Sequence, residues 1–369
     1  MKHWDAIVIG AGIIGLALAI ELNKRGMRVL IVEKGEPGRE ASWAAGGMLA
    51  DFPLEMPAAL RELAAASARM YPEFVHELED ESRLKIDLRD QGTLALIDPA
   101  LHPPDGLQSG AVATPVPQAK LAELEPNLSS AKASRLTVLF LKERSVEPRH
   151  LTAAAVAAAK HRGIDFSSGD QVLSVDVGSG RAAGVRTTKT NFAGGMVVNC
   201  AGAWAGQIGP HKIPARPVKG QMLCVVMPEK EMVRHVIRAP EVYLIPRSDG
   251  RMVIGATQEE AGFDKQTVPE TIQRLRQAAL ELAPRLGEAR ILEAWAGLRP
   301  GTPDALPILG ATATPGYFVA TGHFRDGILL APVTARVMGQ VIAGEKAEFE
   351  MAAFGVERFG NGSPQSERL

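Results

Sequence analysis

Apolar and polar residues fall into clear blocks at the start of the chain. A short apolar run at residues 4–9 predicts a buried strand, and apolar residues at helical spacing over 13–25 predict a helix after it. A second apolar run at 29–32 predicts another buried strand. Strand, helix and strand in this order form a βαβ unit, from which parallel sheets are built.

The pattern changes along the rest of the chain. Helical spacing predicts helices over 58–81, 150–161 and 327–343, the last beginning at Gly327. Short apolar or alternating runs predict strands, with turns at 178–180 and 248–250. The predicted strands are 171–177, 183–188, 196–200, 222–226, 243–246, 252–255 and 317–320.

Three glycines stand between the first strand and the first helix. Gly10 permits a tight exit from the strand, Gly12 leaves room for a pyrophosphate, and Gly15 lets the helix pack on the sheet. The helix N-terminus offers N–H groups and a positive dipole end to phosphates. Glu33, at the end of the second strand, can accept both hydroxyls of a ribose. This order of strand, glycine turn, helix, strand and acidic residue predicts a dinucleotide site, but the motif alone does not separate FAD from NAD.

Composition and charge narrow the class of protein. At 369 residues, with 46% hydrophobic and 22% charged residues, the chain suits a globular enzyme of two packed domains. A net charge of −1 provides no basic excess, so we predict no nucleic-acid partner. The longest apolar run, 6–20, is too short and glycine-rich for a membrane span, and no signal-peptide cleavage site follows it.

Cysteine and histidine usage bears on compartment and metals. Cys200 and Cys224 lie in apolar surroundings that suit buried, reduced thiols better than a disulfide, so we expect a cytoplasmic protein. The eight histidines show no metal-ligand spacing, and we assign no metal.

A loop of small residues, 38–48, follows the βαβ unit and is suited to run beside an extended cofactor toward a flat ring. With this loop the chain resembles the family of FAD-dependent amine and amino-acid oxidoreductases that includes D-amino-acid oxidase, sarcosine oxidase and glycine oxidase, and it is most similar to the glycine oxidases of thiamine biosynthesis. The resemblance rests on the N-terminal unit and on SWAAGGML (42–49), PVKGQ (217–221), YLIPR (243–247), WAGLRPGTPD (295–304) and GHFRDGILLAP (322–332).

The resemblance implies an α/β and α+β protein with two domains. A discontinuous Rossmann-type FAD-binding domain is expected from 1–83, 143–213 and 300–360. A substrate-binding domain on a mainly antiparallel sheet is expected from 84–142 and 214–299. The polar residues 361–369 are predicted to be a frayed tail.

FAD is the implied cofactor, and we predict that it is not covalently bound. Sarcosine oxidases carry a flavin-linking cysteine after the arginine equivalent to Arg299, whereas this chain has Pro300 there. The residues expected to bind FAD are Gly10, Gly12, Ile13, Ile14, Gly15, Glu33, Lys34, Ser42, Ala44, Ala45, Gly46, Gly47, Met48, Val172, Ala201, Gly202, Trp204, Arg299, His323, Arg325, Asp326, Gly327, Ile328 and Leu329.

Four residues are implied at the reacting centre. Arg299 would bind the substrate carboxylate, since a guanidinium donates two parallel bonds to a planar anion. From its spacing alone, Arg299 could equally form a surface salt bridge. Tyr243 would give the carboxylate a second hydrogen bond; the alternative is a half-buried tyrosine that only packs within its strand. Arg325 would lie beside flavin and substrate; the alternative is a loop cation that donates to backbone carbonyls. Met48 would line the pocket; the alternative is a methionine that only fills apolar space. The helix beginning at Gly327 would direct its positive end at the flavin ring.

The predicted reaction is FAD-dependent oxidative deamination of a small amino acid. Glycine is preferred, with sarcosine or small D-amino acids as alternatives, and the products are the imino or oxo acid, ammonia and hydrogen peroxide from oxygen, in the service of thiamine biosynthesis. No general base stands out, and a neutral amine needs none. One rival is a D-amino-acid or proline dehydrogenase that reduces a quinone or protein; another is a dinucleotide sensor without chemistry. The family implies a homotetramer.

Overall fold

The computed structural model describes residues 3–52, 56–100 and 113–360, so the predicted frayed tail at 361–369 lies outside the described residues. In that part of the chain the strands are β1 (His3–Ile9), β2 (Val29–Glu33), β3 (Met48–Leu49), β4 (Leu88–Arg89), β5 (Thr93–Ile97), β6 (Ala113–Pro115), β7 (Thr137–Leu141), β8 (Arg144–Val146), β9 (Asp165–Ser168), β10 (Val172–Gly178), β11 (Arg181–Thr187), β12 (Asn191–Asn199), β13 (Arg216–Val226), β14 (Val236–Arg238), β15 (Tyr243–Pro246), β16 (Arg251–Gly255), β17 (Arg290–Gly301), β18 (Ile308–Ala311) and β19 (Tyr317–Thr321). The α-helices are α1 (Ile13–Lys24), α2 (Ala41–Ala44), α3 (Arg61–Ser82), α4 (Gln118–Leu124), α5 (Ser130–Ala133), α6 (Pro148–His161), α7 (Pro269–Leu282) and α8 (Ala331–Ile342).

The first sheet is parallel at its centre, as the βαβ pattern predicts. Strand β1 pairs in parallel with β2 and β12, β2 pairs with β9, and β12 pairs with β19. Strands β10 and β11 form an antiparallel hairpin that turns through Ser179 and Gly180, both at positive φ, at the predicted place. Helices α1, α3, α6 and α8 bury one face of this sheet in a single apolar cluster. Burial on both faces explains why β1 and β2 are continuous apolar runs in the sequence.

The last helix begins four residues later than predicted, at Ala331 instead of Gly327. Pro332 has no N–H, so the carbonyl of Ile328 accepts a hydrogen bond from the Tyr71 hydroxyl at 2.6 Å. The Ser67 hydroxyl donates to the Leu329 carbonyl at 2.6 Å. Residues 327–330 therefore form a turn that α3 side chains hold, and the expectation of a helix end at Gly327 was wrong.

The second sheet is mainly antiparallel, in the order β17-β13-β16-β15-β14-β5-β7-β6. Strands β13 and β17 pair along almost their whole length, and β15 and β16 form the hairpin predicted around 248–250. Helices α4, α5 and α7 contribute to an apolar cluster on this sheet. The division of the chain into a cofactor domain and a substrate domain stays a prediction.

A small third sheet joins the two larger ones, in the order β3-β8-β4. Strand β4 lies in the segment assigned to the substrate domain and pairs here with β8. A separate apolar cluster packs α2 and the β3 region against β13, β15 and β17. This junction is where the loop of small residues meets the substrate sheet.

Candidate active site

One elongated cavity of about 440 Å³ runs from the turn after β1 to the second sheet. Its walls bring together residues predicted from distant parts of the chain. The predicted residues that line it are Gly10, Gly12, Ile13, Ile14, Glu33, Lys34, Ser42, Ala44, Ala45, Gly46, Gly47, Met48, Val172, Ala201, Gly202, Trp204, Tyr243, Arg299, His323, Arg325, Gly327 and Ile328. Three predicted residues do not line it: Gly15, Asp326 and Leu329.

The N-terminus of α1 opens onto this cavity, and its N-cap residue has no side chain to cap it. Gly12 is the N-cap residue and the first turn of α1 contains no acidic residue. The Ile13 N–H donates to the Ser42 hydroxyl at 2.9 Å. A Cβ built on Gly12 would approach only Ser42 Oγ, at 3.3 Å. The helix end therefore leaves space and positive potential for an anionic group.

The other two glycines of the turn are packing positions. Gly10 has φ of 99°, and a Cβ there would lie 2.6 Å from the Cys200 carbonyl oxygen. A Cβ on Gly15 would overlap the Gly10 carbonyl oxygen. Gly15 therefore supports the turn from behind, which is why it does not line the cavity.

Glu33 is the last residue of β2, and two backbone N–H groups orient its buried carboxylate. Its Oε2 accepts from the Ala11 N–H at 2.8 Å, and its Oε1 accepts from the Gly35 N–H at 2.9 Å. Each oxygen has a second lone pair. A ribose diol can therefore bind Glu33 without displacing the bonds that orient it.

Lys34 and Trp204 face each other across the same end of the cavity. The Lys34 Nζ lies 3.0 Å from the Trp204 ring centroid, a cation–π contact. Glu40 lies 3.5 Å from the Lys34 Nζ. Burial lowers the pKa of Lys34, and Glu40 acts in the opposite direction. Glu40 also lines the cavity; it lies in the predicted 38–48 loop but was not named as a site residue.

At the opposite end, the glycine loop (residues 45–47) lies between β15 of the second sheet and β8 of the third sheet. A Cβ on Gly46 would lie 2.7 Å from Ile245 Cδ1. Gly47 has φ of 79°, and a Cβ there would overlap the Val146 carbonyl oxygen. Only glycine fits both positions, so the loop approaches the cavity as bare backbone.

Arg299 lies in this end of the cavity, held by backbone. Its Nη1 donates to the Thr257 carbonyl at 2.9 Å and to the Lys219 carbonyl at 3.4 Å. In the β13–β17 register Arg299 is opposite Val218, so its guanidinium reaches diagonally over Gly220. A Cβ on Gly220 would lie 2.6 Å from Arg299 Cζ. Thr257 and Gly220 were missed as site residues; Gly220 belongs to the PVKGQ block, whereas Thr257 has no signal in the sequence.

Tyr243 lies on β15 and Arg299 on β17, with strands β16 and β13 between them. Tyr243 pairs with Gly255, which pairs with Met222, and a Cβ on Gly255 would lie 3.0 Å from Tyr243 Cε2. The ring therefore leans across a glycine into the cavity that Arg299 also lines. Burial raises the pKa of Tyr243 and the positive charge of Arg299 lowers it.

The residues after β19 form the remaining wall. Burial lowers the pKa of His323 to about 3, and its Nε2 lies 3.1 Å from Thr334 Oγ1, so the imidazole is neutral at physiological pH. Asp326 is half-buried, and burial raises its pKa to about 6 although Arg325 acts in the opposite direction. The Arg325 guanidinium is exposed and lies 5.5 Å from the Phe324 ring centroid.

The donor set fits an FAD. A helix end with glycine at its N-cap suits a pyrophosphate, a buried carboxylate at the end of β2 suits a ribose, and a glycine loop leaves flat space near the second sheet. Cys200 lines the cavity near Gly10, and burial raises its pKa to about 12, so it is a poor nucleophile toward a cofactor.

Within 3–52, 56–100 and 113–360, no three His, Cys, Asp or Glu side chains group as metal ligands. No helix in these ranges is long and apolar enough to cross a bilayer.

Comparisons with known proteins agree with this geometry. A family model described as "DAO: FAD dependent oxidoreductase" matches residues 5–341. The chain is 32% identical to a glycine oxidase of Pseudomonas aeruginosa over 94% of this chain and 97% of that protein. It is 33% identical to the bifunctional protein ThiO/ThiG of Trichormus variabilis over 96% of this chain, but spans only 55% of that longer protein. The crystal structure of glycine oxidase from Geobacillus kaustophilus superposes with a TM-score of 0.90 and 29% identity, over 97% of this chain and 99% of that one.

Proposed function

The chain belongs to the family of FAD-dependent oxidoreductases that the DAO model describes, and we propose that it oxidatively deaminates a small amino acid, glycine by preference. The enzyme class and the FAD cofactor follow from the family. The observation that carries the substrate proposal is the Arg299–Tyr243 pair at the sheet end of the cavity.

The pair is built to bind a carboxylate. One edge of the Arg299 guanidinium is committed to the Thr257 and Lys219 carbonyls. Its remaining N–H groups can donate to a planar anion, and the Tyr243 hydroxyl, which lines the same cavity, can donate as well. A cation oriented by two carbonyls beside a phenol is suited to bind an anion.

The surroundings of the pair favour a small substrate. Met48, Met222 and the Tyr243 ring line the same end of the cavity and leave an apolar wall beside the carboxylate site. Glycine, sarcosine and small D-amino acids carry little or no side chain to fit there. A bulky side chain would have to displace one of these residues.

The bound FAD supplies a two-electron acceptor for the hydride that leaves the substrate α-carbon. The chain supplies orientation: Arg299 and Tyr243 would hold the carboxylate so that the α-carbon keeps one position. An amine that enters neutral uses its own lone pair to form the imine as hydride departs, and water hydrolyses the imine to the oxo acid and ammonia. His323, with a pKa of about 3, is too weak a base to take the amine proton.

Oxygen is the proposed final acceptor, taking two electrons and two protons to give hydrogen peroxide. A role in thiamine biosynthesis, a homo-oligomeric state and a cytoplasmic location complete the proposal. The similarity to glycine oxidase and to ThiO/ThiG supports it.

A peroxide assay over glycine, sarcosine, D-alanine and D-proline tests the proposal directly. We expect the highest kcat/KM for glycine. Bleaching of the yellow protein by an amino acid without oxygen, but no peroxide in air, would instead indicate a dehydrogenase that serves another acceptor. No bleaching with any amino acid would refute the amino-acid substrate and favour a dinucleotide-binding protein without this chemistry.

A further inference from the structure

A buried arginine lies directly behind the glycine loop. Arg247 follows β15 and its side chain is 1% exposed. It does not line the cavity. Its Nη2 donates to the Gly46 carbonyl at 2.7 Å and its Nη1 donates to the Val146 carbonyl at 3.2 Å. One guanidinium thus bonds the glycine loop and the neighbouring strand β8 together.

Glu147 compensates the charge of Arg247. The Arg247 Nε lies 2.9 Å from Glu147 Oε2, an ion-pair contact outside hydrogen-bond geometry. Glu147 is itself buried and caps α6, where its Oε1 accepts from the Arg149 N–H at 3.2 Å. Two buried charges are costly, and an apolar pair would hold two segments together as well. The directed bonds to the Gly46 and Val146 carbonyls are what an apolar pair cannot provide.

The same strand carries the substrate residue Tyr243, four positions before Arg247. A Cβ on Gly46 would lie 3.5 Å from Tyr243 Cε2, so the glycine loop also packs on the Tyr243 ring. Strand β15 therefore contacts the carboxylate site at one end and the loop beside the cofactor space at the other.

We propose that Arg247 is a positioning residue that holds the glycine loop, and through it the FAD ring, at a fixed distance from the Arg299–Tyr243 carboxylate site. The part of the inference that concerns the carboxylate site rests on the proposed function. The part that concerns the glycine loop depends only on FAD binding. Because hydride transfer is sensitive to about 1 Å of misplacement, a loosened loop should lower the reaction rate more than it weakens carboxylate binding.

The test compares Arg247→Lys with Arg251→Lys. Arg251 also contacts Glu147, with its Nη2 3.2 Å from Oε2, so both variants perturb the same buried carboxylate. Only Arg247 bonds Gly46. A lysine at 247 keeps the charge but cannot bond the Gly46 and Val146 carbonyls in a fork.

Three quantities are measured: the FAD dissociation constant of the apoprotein, the dissociation constant of acetate from its perturbation of the flavin spectrum, and the anaerobic rate of flavin reduction at saturating glycine with excess FAD. For Arg247→Lys we expect FAD affinity to fall about 10-fold, the reduction rate to fall about 10- to 100-fold, and acetate affinity to stay within about 3-fold. For Arg251→Lys all three should stay within about 2-fold.

Equal FAD affinity and equal reduction rate in the two variants would overturn the proposal and leave Arg247 a purely structural residue. If glycine fails to reduce the unmodified enzyme, the proposed function fails. The FAD dissociation constant still tests whether Arg247 holds the glycine loop. Should Arg247→Lys not accumulate as folded protein, Glu147→Gln replaces it, since glutamine keeps the helix cap but removes the ion pair. We then expect weaker FAD binding than in Arg251→Lys, and unchanged binding refutes the proposal.

Discussion

Replacing Arg299 tests the carboxylate site most directly. Arg299→Ala removes the guanidinium, and Arg299→Lys keeps a charge without the fork. A third variant, Gly220→Ala, leaves Arg299 in the chain but displaces it, because the new Cβ would lie 2.6 Å from Cζ. The bond from Nη1 to the Thr257 carbonyl at 2.9 Å resists that displacement.

The magnitude follows from the environment of the pair. Removing one partner of a desolvated charge pair costs about 2–5 kcal/mol. At about 1.4 kcal/mol per factor of ten, Arg299→Ala should weaken apparent glycine binding from about 30-fold to several thousand-fold. Arg299→Lys should fall near the lower bound, because its ammonium still offsets the charge of the carboxylate. Gly220→Ala should raise KM in the same direction without removing any donor.

Steady-state peroxide kinetics with glycine, together with the flavin content of each variant, provide the measurement. FAD content should stay normal in all three variants, since the contacts at the α1 end are unchanged. Oxidation of an amine without a carboxylate should change little. Unchanged glycine kinetics in both Arg299 variants would show that Arg299 only donates to backbone carbonyls, and the amino-acid proposal would lose its main support.

Three further predictions concern the cofactor and pH. Gly12→Val should yield folded protein without FAD, because the nearest atom to a Cβ there is 3.3 Å away and the valine methyls extend into the cavity; a normal ratio of flavin to protein absorbance would refute this. Denaturation followed by filtration should release all FAD into the filtrate, and yellow colour retained with the chain would disprove non-covalent binding. His323→Asn should flatten the pH dependence of the free energy of unfolding. The buried imidazole has a pKa of about 3, whereas a histidine in the unfolded chain has one of about 6.5. The contribution of His323 to stability is therefore complete above pH ~6.5 and falls by about 1.4 kcal/mol per pH unit below it. Parallel pH curves for the parent and His323→Asn would contradict the neutral assignment.

Much of the cofactor domain follows from local sequence. The Gly10, Gly12 and Gly15 turn, the buried strands on each side and the acidic end of β2 were all predicted from residues within the first 33 positions. Local periodicity suffices there because a βαβ unit is a short-range object, and each glycine is required by a neighbour a few residues away.

Elements whose ends depend on distant residues were predicted less well. The helix predicted from Gly327 begins at Ala331, after a turn whose Ile328 and Leu329 carbonyls accept from the Tyr71 and Ser67 hydroxyls of α3. Thr257 had no signal at all, since its carbonyl matters only where Arg299 approaches it.

By itself, the sequence determined the fold class and predicted a dinucleotide site, because these depend on local periodicity and short motifs, and its resemblance to a known family implied that the dinucleotide is FAD. Only the tertiary structure decided which groups meet. Arg247 bonds the carbonyl of Gly46, 201 positions away, and Tyr243 leans across a glycine of β16 into the cavity that Arg299 also lines. Strand register and side-chain direction determine such contacts, and both result from packing the whole chain at once.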